Sequence, residues 1–289
     1  MQVRTYIRPA SLADALHTLA TVEEPIAIIA GGTDVLVYAR EDDRYANSAL
    51  IDIYGLAEEL GQIREEGDDL IIGALATHAA IAQSPLVLRY APILADACRS
   101  VAAPQVRNHA TIAGNIANAS PAADSLGALA VLRAKVGVQS PEGQRELAMD
   151  QIIARPYRNN LGPRDLITYI RVPKLEGYRH MFYKLGRRRA QSISRMTLAA
   201  LVKTDCQGAV ADFRITVGAT FPRPMVFPDV DAMLIGKKPA QADLEAVAKA
   251  LSDKIPEIAG IRASTTYKQP VCEKLCLRIL NDLLGGDQQ

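Results

Sequence analysis

The segment IIAGGTDVL, residues 28–36, carries an apolar run directly into a pair of glycines. The run IAIIA at 26–30 predicts a short buried strand, because continuous apolar residues fit the interior of a sheet. Gly31 and Gly32 then predict a sharp turn whose backbone N–H groups are not shielded by side chains. With the hydroxyl of Thr33 beside them, these groups form a candidate anion-binding loop, and a side chain at Gly32 is expected to block it.

A second unusual segment, TIAGNIANASPAAD at 111–124, has few large apolar residues and places Gly114 beside Asn115. It predicts another loop with accessible backbone N–H groups, about 80 residues after the first. Neither segment matches GxGxxG or GxxxxGK[ST], so neither a Rossmann site nor a P-loop is indicated. Two such loops in different modules predict a diphosphate-bearing ligand between them.

Periodicity around these loops predicts an α+β protein of three modules. The modules span 1–57, 58–174 and 175–289. Helices are predicted at 8–20, 35–41, 78–83, 86–102, 126–132, 242–255 and 270–284, with Ser11 and Thr77 as N-caps. Strands are predicted at 26–30, 49–53, 68–74, 133–140, 166–173, 180–185, 197–204 and 208–220. The last strand alternates as a half-buried antiparallel strand does.

The composition excludes several classes of function. The 289 residues include 33 Lys and Arg against 32 Asp and Glu, a formal charge of +1, which provides no basic field for nucleic acid. No apolar run reaches the roughly 18 residues of a membrane span, and no signal-peptide core opens the chain, so a cytoplasmic location is expected. The four cysteines predict buried thiols, and neither cysteines nor histidines show a metal-ligand spacing.

Four stretches together carry a family resemblance. They are YIRPASLADAL at 6–16, AGGTDVLV at 30–37, PQVRNHATIAGNIANASPAAD at 104–124 and YKLGRRRAQSIS at 183–194. They resemble the FAD-binding (medium) subunits of molybdenum hydroxylases, a family that includes the xanthine, nicotinate and carbon monoxide dehydrogenases. The resemblance covers the whole chain. It implies a two-part FAD-binding region of the vanillyl-alcohol-oxidase type, followed by a C-terminal α+β domain with an antiparallel sheet and helices.

The resemblance also implies which residues contact FAD. The first loop, whose backbone would hold the diphosphate, corresponds to Ile28, Ile29, Ala30, Gly31, Gly32, Thr33, Asp34 and Val35. The second corresponds to Thr111, Ile112, Ala113, Gly114 and Asn115, with alanine at 113 where the family usually has glycine. Asp124 matches an acidic contact to ribose or ribityl hydroxyls, or else it caps the following helix. Ile167 matches a backbone contact at the flavin ring, and Lys184 matches a lysine near the ring, or else it is a surface lysine.

The implied function is electron transfer. A large molybdenum subunit would oxidise the substrate, a small [2Fe–2S] subunit would relay electrons, and FAD on this chain would deliver them to NAD or another acceptor. No side chain of this chain is expected to be catalytic. A xanthine dehydrogenase is the first hypothesis, and a dehydrogenase of nicotinate or another N-heterocycle is the alternative. Hypotheses from other classes are a stand-alone FAD oxidase, which usually has a longer chain with its own substrate cap, and an assembly subunit without flavin.

Overall fold

The structure is a computed structural model that describes residues 3–41, 44–188 and 190–285. Arg189, in the stretch 183–194, lies outside the described residues. The strands are β1 (Thr5–Ile7), β2 (Ile26–Ile29), β3 (Ala49–Asp52), β4 (Ile63–Glu66), β5 (Asp69–Gly73), β6 (Lys135–Ser140), β7 (Gly143–Ala148), β8 (Ile153–Arg155), β9 (Arg158–Asn159), β10 (Leu166–Pro173), β11 (Arg179–Gly186), β12 (Ser194–Thr204) and β13 (Val210–Gly218).

Among the described residues, six helices follow one another between β5 and β6, and two long helices come last in chain order. The helices are α1 (Leu12–Thr21), α2 (Val35–Glu41), α3 (Ala57–Leu60), α4 (His78–Gln83), α5 (Pro85–Tyr90), α6 (Pro92–Ser100), α7 (Pro104–Arg107), α8 (Ile112–Asn118), α9 (Asp124–Val131), α10 (Met149–Ile152), α11 (Pro228–Asp231), α12 (Gln241–Ala259) and α13 (Thr265–Leu284). The α+β class is confirmed.

The first sheet is small and parallel, with the strand order β1-β3-β2. Its apolar residues pack with those of α1, where Ala15 and Leu19 lie against Ile51. Ser11 caps α1 as predicted, because its side chain accepts a hydrogen bond from the Asp14 amide. In a parallel sheet the carboxyl ends of all strands lie at the same edge, so the turn that follows β2 lies at that edge.

The second sheet is antiparallel, with the order β4-β5-β10-β6-β7. The largest apolar cluster of the described residues forms where helices α4, α5, α6, α8 and α9 pack on this sheet, around Ile72, Leu94, Leu129 and Ile170. Strands β4 and β7 were not predicted, because most of their side chains are exposed and polar and they have no apolar run. Edge strands of this kind are held by ladder hydrogen bonds rather than by burial.

The third sheet is an antiparallel meander, β11-β12-β13, as predicted. One face packs on α12 and α13, where Phe213 meets Leu251 and Cys276. The other face packs on α9, where Arg214 donates to the Val131 carbonyl over 3.0 Å. The prediction of a half-buried strand at 208–220 is therefore wrong, since β13 is buried on both faces along its second half.

Two further predictions are corrected by the backbone. The single helix predicted at 86–102 is two helices, because Pro92 has no amide to continue the first and the chain leaves the helical region at Ala91. The segment at 111–124 is not a loop, since its first part forms helix α8.

The described residues have free cysteines only, three of them buried, and burial raises the pKa of Cys272 to about 12. None of the described helices combines the length and apolar character that crossing a bilayer requires. No group of three or more His, Cys, Asp or Glu within 3–41, 44–188 and 190–285 is arranged to hold a metal ion.

Candidate functional site

A cleft of about 810 Å³ is lined by residues from all three sheets. Its walls are the turn after β2, the segment 101–124 and the approach to β10 at 161–167. The third sheet contributes Lys184 of β11 and residues 191–194, which lead into β12. This volume lies in the range of about 300–1,000 Å³ that is typical of small-molecule and cofactor sites. The cleft is the place where the sequence segments 28–36 and 111–124 come together.

The turn after β2 contributes unpaired backbone donors to the cleft. Among the described residues, the amides from Gly31 to Val35 donate no hydrogen bond to another protein group, and all five of these residues line the cleft. The carbonyl of Gly32 accepts from the Leu36 amide, and the carbonyl of Asp34 accepts from the amides of Val37 and Tyr38. Consecutive free amides in a turn form a concave anion-binding surface. This confirms the local geometry expected from the Gly-Gly pair.

The two glycines of the turn are needed for different reasons. A Cβ on Gly31 would lie 1.8 Å from the carbonyl oxygen of His109, so only glycine permits this contact between the turn and the segment before α8. Gly32 has a φ of +70°, which side chains rarely adopt, and a Cβ there would meet the tips of Ile29 and Leu36. A side chain introduced at Gly32, which was expected to block the anion site, would therefore point toward Ile29 and Leu36.

The second segment contributes side chains rather than free amides. The amides of Ile112 and Ala113 donate to the Ala76 and Ala74 carbonyls, and the Gly114 amide donates to the Thr111 hydroxyl over 3.2 Å. Thr111 is the N-cap of α8. The prediction of a second loop with unshielded amides is therefore wrong, because helix formation and pairing with the 74–77 segment use them.

Helix α8 reaches across the cleft to the first turn. Asn118, at its end, donates from Nδ2 to Asp34 Oδ1 over 3.0 Å and accepts from the Tyr38 hydroxyl over 3.2 Å. Burial raises the pKa of Asp34 above its usual value. One turn of helix separates Asp34 and Tyr38, so both face the same partner. These contacts fix the width of the cleft between α2 and α8.

A polar network closes the end of the cleft near the third sheet. Lys184 Nζ lies 2.6 Å from Asp124 Oδ2 and 2.9 Å from the Ser100 carbonyl oxygen. Ser100 and Ser194 both donate from their hydroxyls to the Asp124 carboxylate. The side chains of Asp124 and Lys184 are 5% and 16% exposed, so Lys184 is not a free surface lysine. Asp124 is the first residue of α9, and Ala123, not Asp124, is the N-cap.

The cleft brings together most of the residues that the sequence analysis singled out. Ile29 and Ile112 do not line it, and Ile112 is fully buried in the apolar core. Ile167 lines the cleft where the register of β10 shifts against β6, next to the bulge at Thr168. The residues that line it are Ile28, Ala30, Gly31, Gly32, Thr33, Asp34, Val35, Thr111, Ala113, Gly114, Asn115, Asp124, Ile167 and Lys184.

Several other residues line the cleft that were not predicted from the sequence. Ala102, Tyr157 and Gln191 line it with φ angles of +39°, +57° and +52°. Left-handed backbone at residues other than glycine has no clear sequence signal, so these bends could not be predicted. Tyr38 and Arg44 form another missed contact, with the guanidinium carbon 3.8 Å from the ring centroid. Tyr38 could have been found, because it follows Asp34 by one helical turn.

Comparison with known proteins identifies the family. Residues 1–175 match the family described as the FAD binding domain in molybdopterin dehydrogenase, and residues 181–283 match the CO dehydrogenase flavoprotein C-terminal domain. The chain belongs to the molybdopterin dehydrogenase FAD-binding family. The match at 1–175 covers both segments that meet at the cleft, so the family assignment and the geometry concern the same residues.

Curated relatives and solved structures agree with this family over nearly the full length. The nicotinate dehydrogenase FAD-subunit of Eubacterium barkeri is 31% identical over 97% of both chains. The xanthine dehydrogenase FAD-binding subunit of Escherichia coli O157:H7 is 28% identical over 98% of this chain and 96% of its own. Carbon monoxide dehydrogenase from Hydrogenophaga pseudoflava, solved without the Mo-pyranopterin moiety of its cofactor, aligns with a TM-score of 0.88 at 27% identity over 97% of each chain.

These findings confirm the resemblance stated from the sequence. The chain is an FAD-binding subunit of a molybdenum hydroxylase-type dehydrogenase, and FAD is its cofactor. It is an oxidoreductase subunit, with the fold of the carbon monoxide dehydrogenase FAD subunit.

Proposed function

We propose that FAD binds in the cleft and that the chain transfers electrons between a partner's [2Fe–2S] centre and an acceptor. The observation that carries the proposal is the run of free amides from Gly31 to Val35 inside a cleft of about 810 Å³. An elongated ligand with a diphosphate near its centre fits this combination, because the turn holds the anion and the cleft extends beyond it. FAD supplies two-electron redox chemistry when it is bound.

The proposed contacts divide according to what each wall of the cleft offers. The first turn would hold the diphosphate with its amides, and Thr33 adds a hydroxyl. From the second segment, the side chain of Asn115 would contact the cofactor, since its Oδ1 accepts from Ser125 and its Nδ2 has no partner among the described residues. Thr111, Ala113 and Gly114 would form the adjoining surface. Ile29 and Ile112 support these walls from behind.

Asp124 and Lys184 would act at the flavin ring as an ion pair. A lone cation beside the ring would favour a reduced anionic ring. The 2.6 Å contact with Asp124 compensates that charge inside the protein, so the pair influences the ring less than a free lysine would. We propose that its main role is to fix the strand β11 against α9, which sets the width of the cleft where Ile167 contacts the ring.

The proposed partners are a small [2Fe–2S] subunit and a large molybdopterin subunit. The curated relatives are named as FAD-subunits or medium subunits, which are parts of larger enzymes. Purification of the intact complex from its native host tests this proposal. Recovery of a catalytically complete single chain would support the stand-alone FAD oxidase instead.

The proposed regions are 1–57 and 58–174 for the two parts of the FAD-binding region and 175–289 for the C-terminal domain. The three main sheets support this division, since each is built within one of these ranges. Limited proteolysis of the purified chain should cut first near 57–62 or 174–178. Early cleavage inside a sheet would argue against the division.

For the substrate of the complex we propose a purine, with nicotinate or another N-heterocycle as the alternative. The relatives include both xanthine and nicotinate dehydrogenase subunits at similar identity, 28% and 31%. The intact complex should therefore be assayed with xanthine and nicotinate in parallel, using an artificial acceptor. Turnover of nicotinate alone would replace the first hypothesis by the second.

A basic cavity next to the cleft supports an anionic electron acceptor such as NAD. It has a volume of about 730 Å³ and shares Ala102, Lys184 and Gln191 with the cleft. Arg99, Arg107 and Arg188 line it, and its described lining contains no Asp or Glu. Anaerobic addition of NADH should bleach the flavin of the complex if NAD is the acceptor. Bleaching by the reducing substrate but not by NADH would exclude NAD.

The FAD assignment itself is tested on the purified chain. A flavin absorption spectrum at one FAD per chain, before or after reconstitution, is the expected result. A folded chain that neither retains nor takes up FAD would support the assembly subunit without flavin.

A further inference from the structure

The wall of the cleft at 161–167 is held by an ion pair whose cation lies outside the cleft. Asp165 lines the cleft with a side chain that is only 7% exposed, whereas Arg145 lies on the edge strand β7 and does not line it. Arg145 donates from Nη1 to Asp165 Oδ1 over 3.0 Å and from Nη2 to Asp165 Oδ2. A pair with two parallel hydrogen bonds fixes the direction between its partners as well as their distance.

The Asp165 carboxylate also closes the turn that leads into β10. Its Oδ2 accepts from the Gly162 amide over 2.6 Å, and the Asp165 amide donates to the Gly162 carbonyl over 3.1 Å. Pro163 occupies the second position of this four-residue turn, where proline is favoured. Three protein donors converge on the carboxylate, so its role is to hold the turn rather than to contact a ligand.

The strand register carries this attachment to Ile167. Arg145 of β7 pairs with Val138 of β6, and Val138 pairs with Ile167 of β10. Leu166 and Ile167 are the only two residues of β10 in this register, because the pairing with β6 shifts after Ile167. On its other side, β10 pairs with β5 only from Tyr169 onward. The start of β10 is therefore held by two residue pairs on one side, and the ion pair supplies its second attachment.

A second arginine joins the same two strands away from the cleft. Arg171 of β10 donates from Nε to Glu146 of β7 over 2.7 Å, and from Nη1 to Asp69 of β5 over 3.2 Å. It lies in the part of β10 that pairs with a strand on both sides, and it does not line the cleft. Arg171 is therefore a matched control for Arg145, since replacing either arginine removes no group from the surface of the cleft.

We propose that Arg145 and Asp165 are positioning residues that fix the backbone of Ile167 where it meets the flavin ring. The inference rests on the proposed function, in which Ile167 contacts the ring. It adds a side chain from the edge strand β7, which neither the FAD-binding segments nor the lining of the cleft includes. FAD affinity and the surroundings of the ring should then depend on Arg145, although this residue does not touch the cofactor.

The test compares Arg145→Ala, Arg145→Lys and the control Arg171→Ala in the full chain. Both alanine variants should lower the urea midpoint, because each removes an ion pair from the same sheet. Arg145→Ala should also raise the FAD dissociation constant about fivefold, as measured by flavin fluorescence, and change the visible circular dichroism of the bound flavin. Arg171→Ala should leave both flavin readouts unchanged.

The lysine variant separates geometry from charge. Lysine keeps the positive charge but cannot form the two parallel hydrogen bonds of arginine, so Arg145→Lys should resemble Arg145→Ala in both flavin readouts. If Arg145→Ala changes only the stability, as the control does, the pair is purely structural and the inference is wrong. If Arg145→Lys binds FAD as the unchanged chain does, the charge acts rather than the geometry, and the positioning role is wrong. In both cases the unchanged chain still binds FAD and the proposed function stands, whereas an unchanged chain that binds no FAD removes both.

Discussion

Replacing Gly31 by alanine should separate the turn after β2 from the segment before α8. The added Cβ would lie 1.8 Å from the His109 carbonyl oxygen and 2.6 Å from its carbonyl carbon. Both atoms are backbone, so no side-chain rotation relieves the overlap. The neighbouring Ala110 is held by its carbonyl, which accepts the His78 amide, and by its own amide, which donates to Val106.

The magnitude follows from the overlap. An ordinary van der Waals contact needs about 3.4 Å, whereas the added Cβ would lie only 1.8 Å from the carbonyl oxygen. The two backbones must therefore move apart by about 1.6 Å. Overpacking of this kind costs about 3 kcal/mol, and it widens the cleft at the free amides. Gly32→Ala is the matched control, because its Cβ meets only flexible side-chain tips. Its cost is the left-handed backbone, about 1–2 kcal/mol.

The assay measures urea unfolding and the FAD content of both variants. Gly31→Ala should lose about 3 kcal/mol of stability and most of its FAD. Gly32→Ala should lose less stability and keep FAD, because its Cβ points toward Ile29 and Leu36. If Gly31→Ala were as stable as the unchanged chain and fully loaded with FAD, the close approach to His109 would not exist in solution. Loss of FAD only in Gly32→Ala would favour the original expectation of a blocked anion site.

Three further predictions concern charged groups. Asp124→Asn leaves the Lys184 ammonium without its partner and should destabilise the chain by about 3 kcal/mol, and adding Lys184→Met should recover part of this in a double-mutant cycle of urea unfolding. With FAD bound, Asp124→Asn should raise the flavin midpoint potential and Lys184→Met should lower it, as measured by spectroelectrochemical titration. Each shift should be about 30 mV, because about 1.4 kcal/mol corresponds to 30 mV for a two-electron couple. Shifts in the same direction would contradict the pairing. Burial raises the pKa of Asp231 to about 7, so the folded chain binds an extra proton, and stability should fall by about 2–4 kcal/mol as pH rises from about 4 to above 7. Asp231→Asn should remove this slope in melting curves, and an unchanged slope would assign it to another group.

The elements that could be predicted from the sequence are those with a continuous apolar run or a strong cap. Strands β2, β5, β6 and β10 were found because burial selects their side chains. Helix α1 was found because Ser11 and Asp14 mark its start. Strands β4 and β7 escaped, because most of their own side chains are exposed and polar, and each is held by ladder pairing with the buried strand next to it in sequence, β5 or β6. Pro92 disfavours helical backbone at the residue before it, so the sequence itself indicated that the helix predicted at 86–102 is divided there.

The site was only partly predictable, for a different physical reason. The first turn could be predicted because glycine itself indicates a backbone that approaches another group. The contact of Gly31 with His109 could not, because it joins residues that only the assembled sheets bring together. His78 was one of four scattered histidines, and nothing in its local sequence shows that its ring is buried beside Cys98 in the wall of the cleft.

The C-terminal end of α6 connects the polar groups at two walls of the cleft. Cys98 holds the His78 ring, and two residues later Ser100 holds both Asp124 and Lys184. The chain then turns at Ala102, where a φ of +39° directs it along the cleft. Arg107 fixes this turn by donating to the carbonyls of residues 101 and 102. Because one short helix carries both networks, the wall at α4 and the wall at the third sheet cannot move independently, and the spacing between them is set by the fold before a cofactor enters.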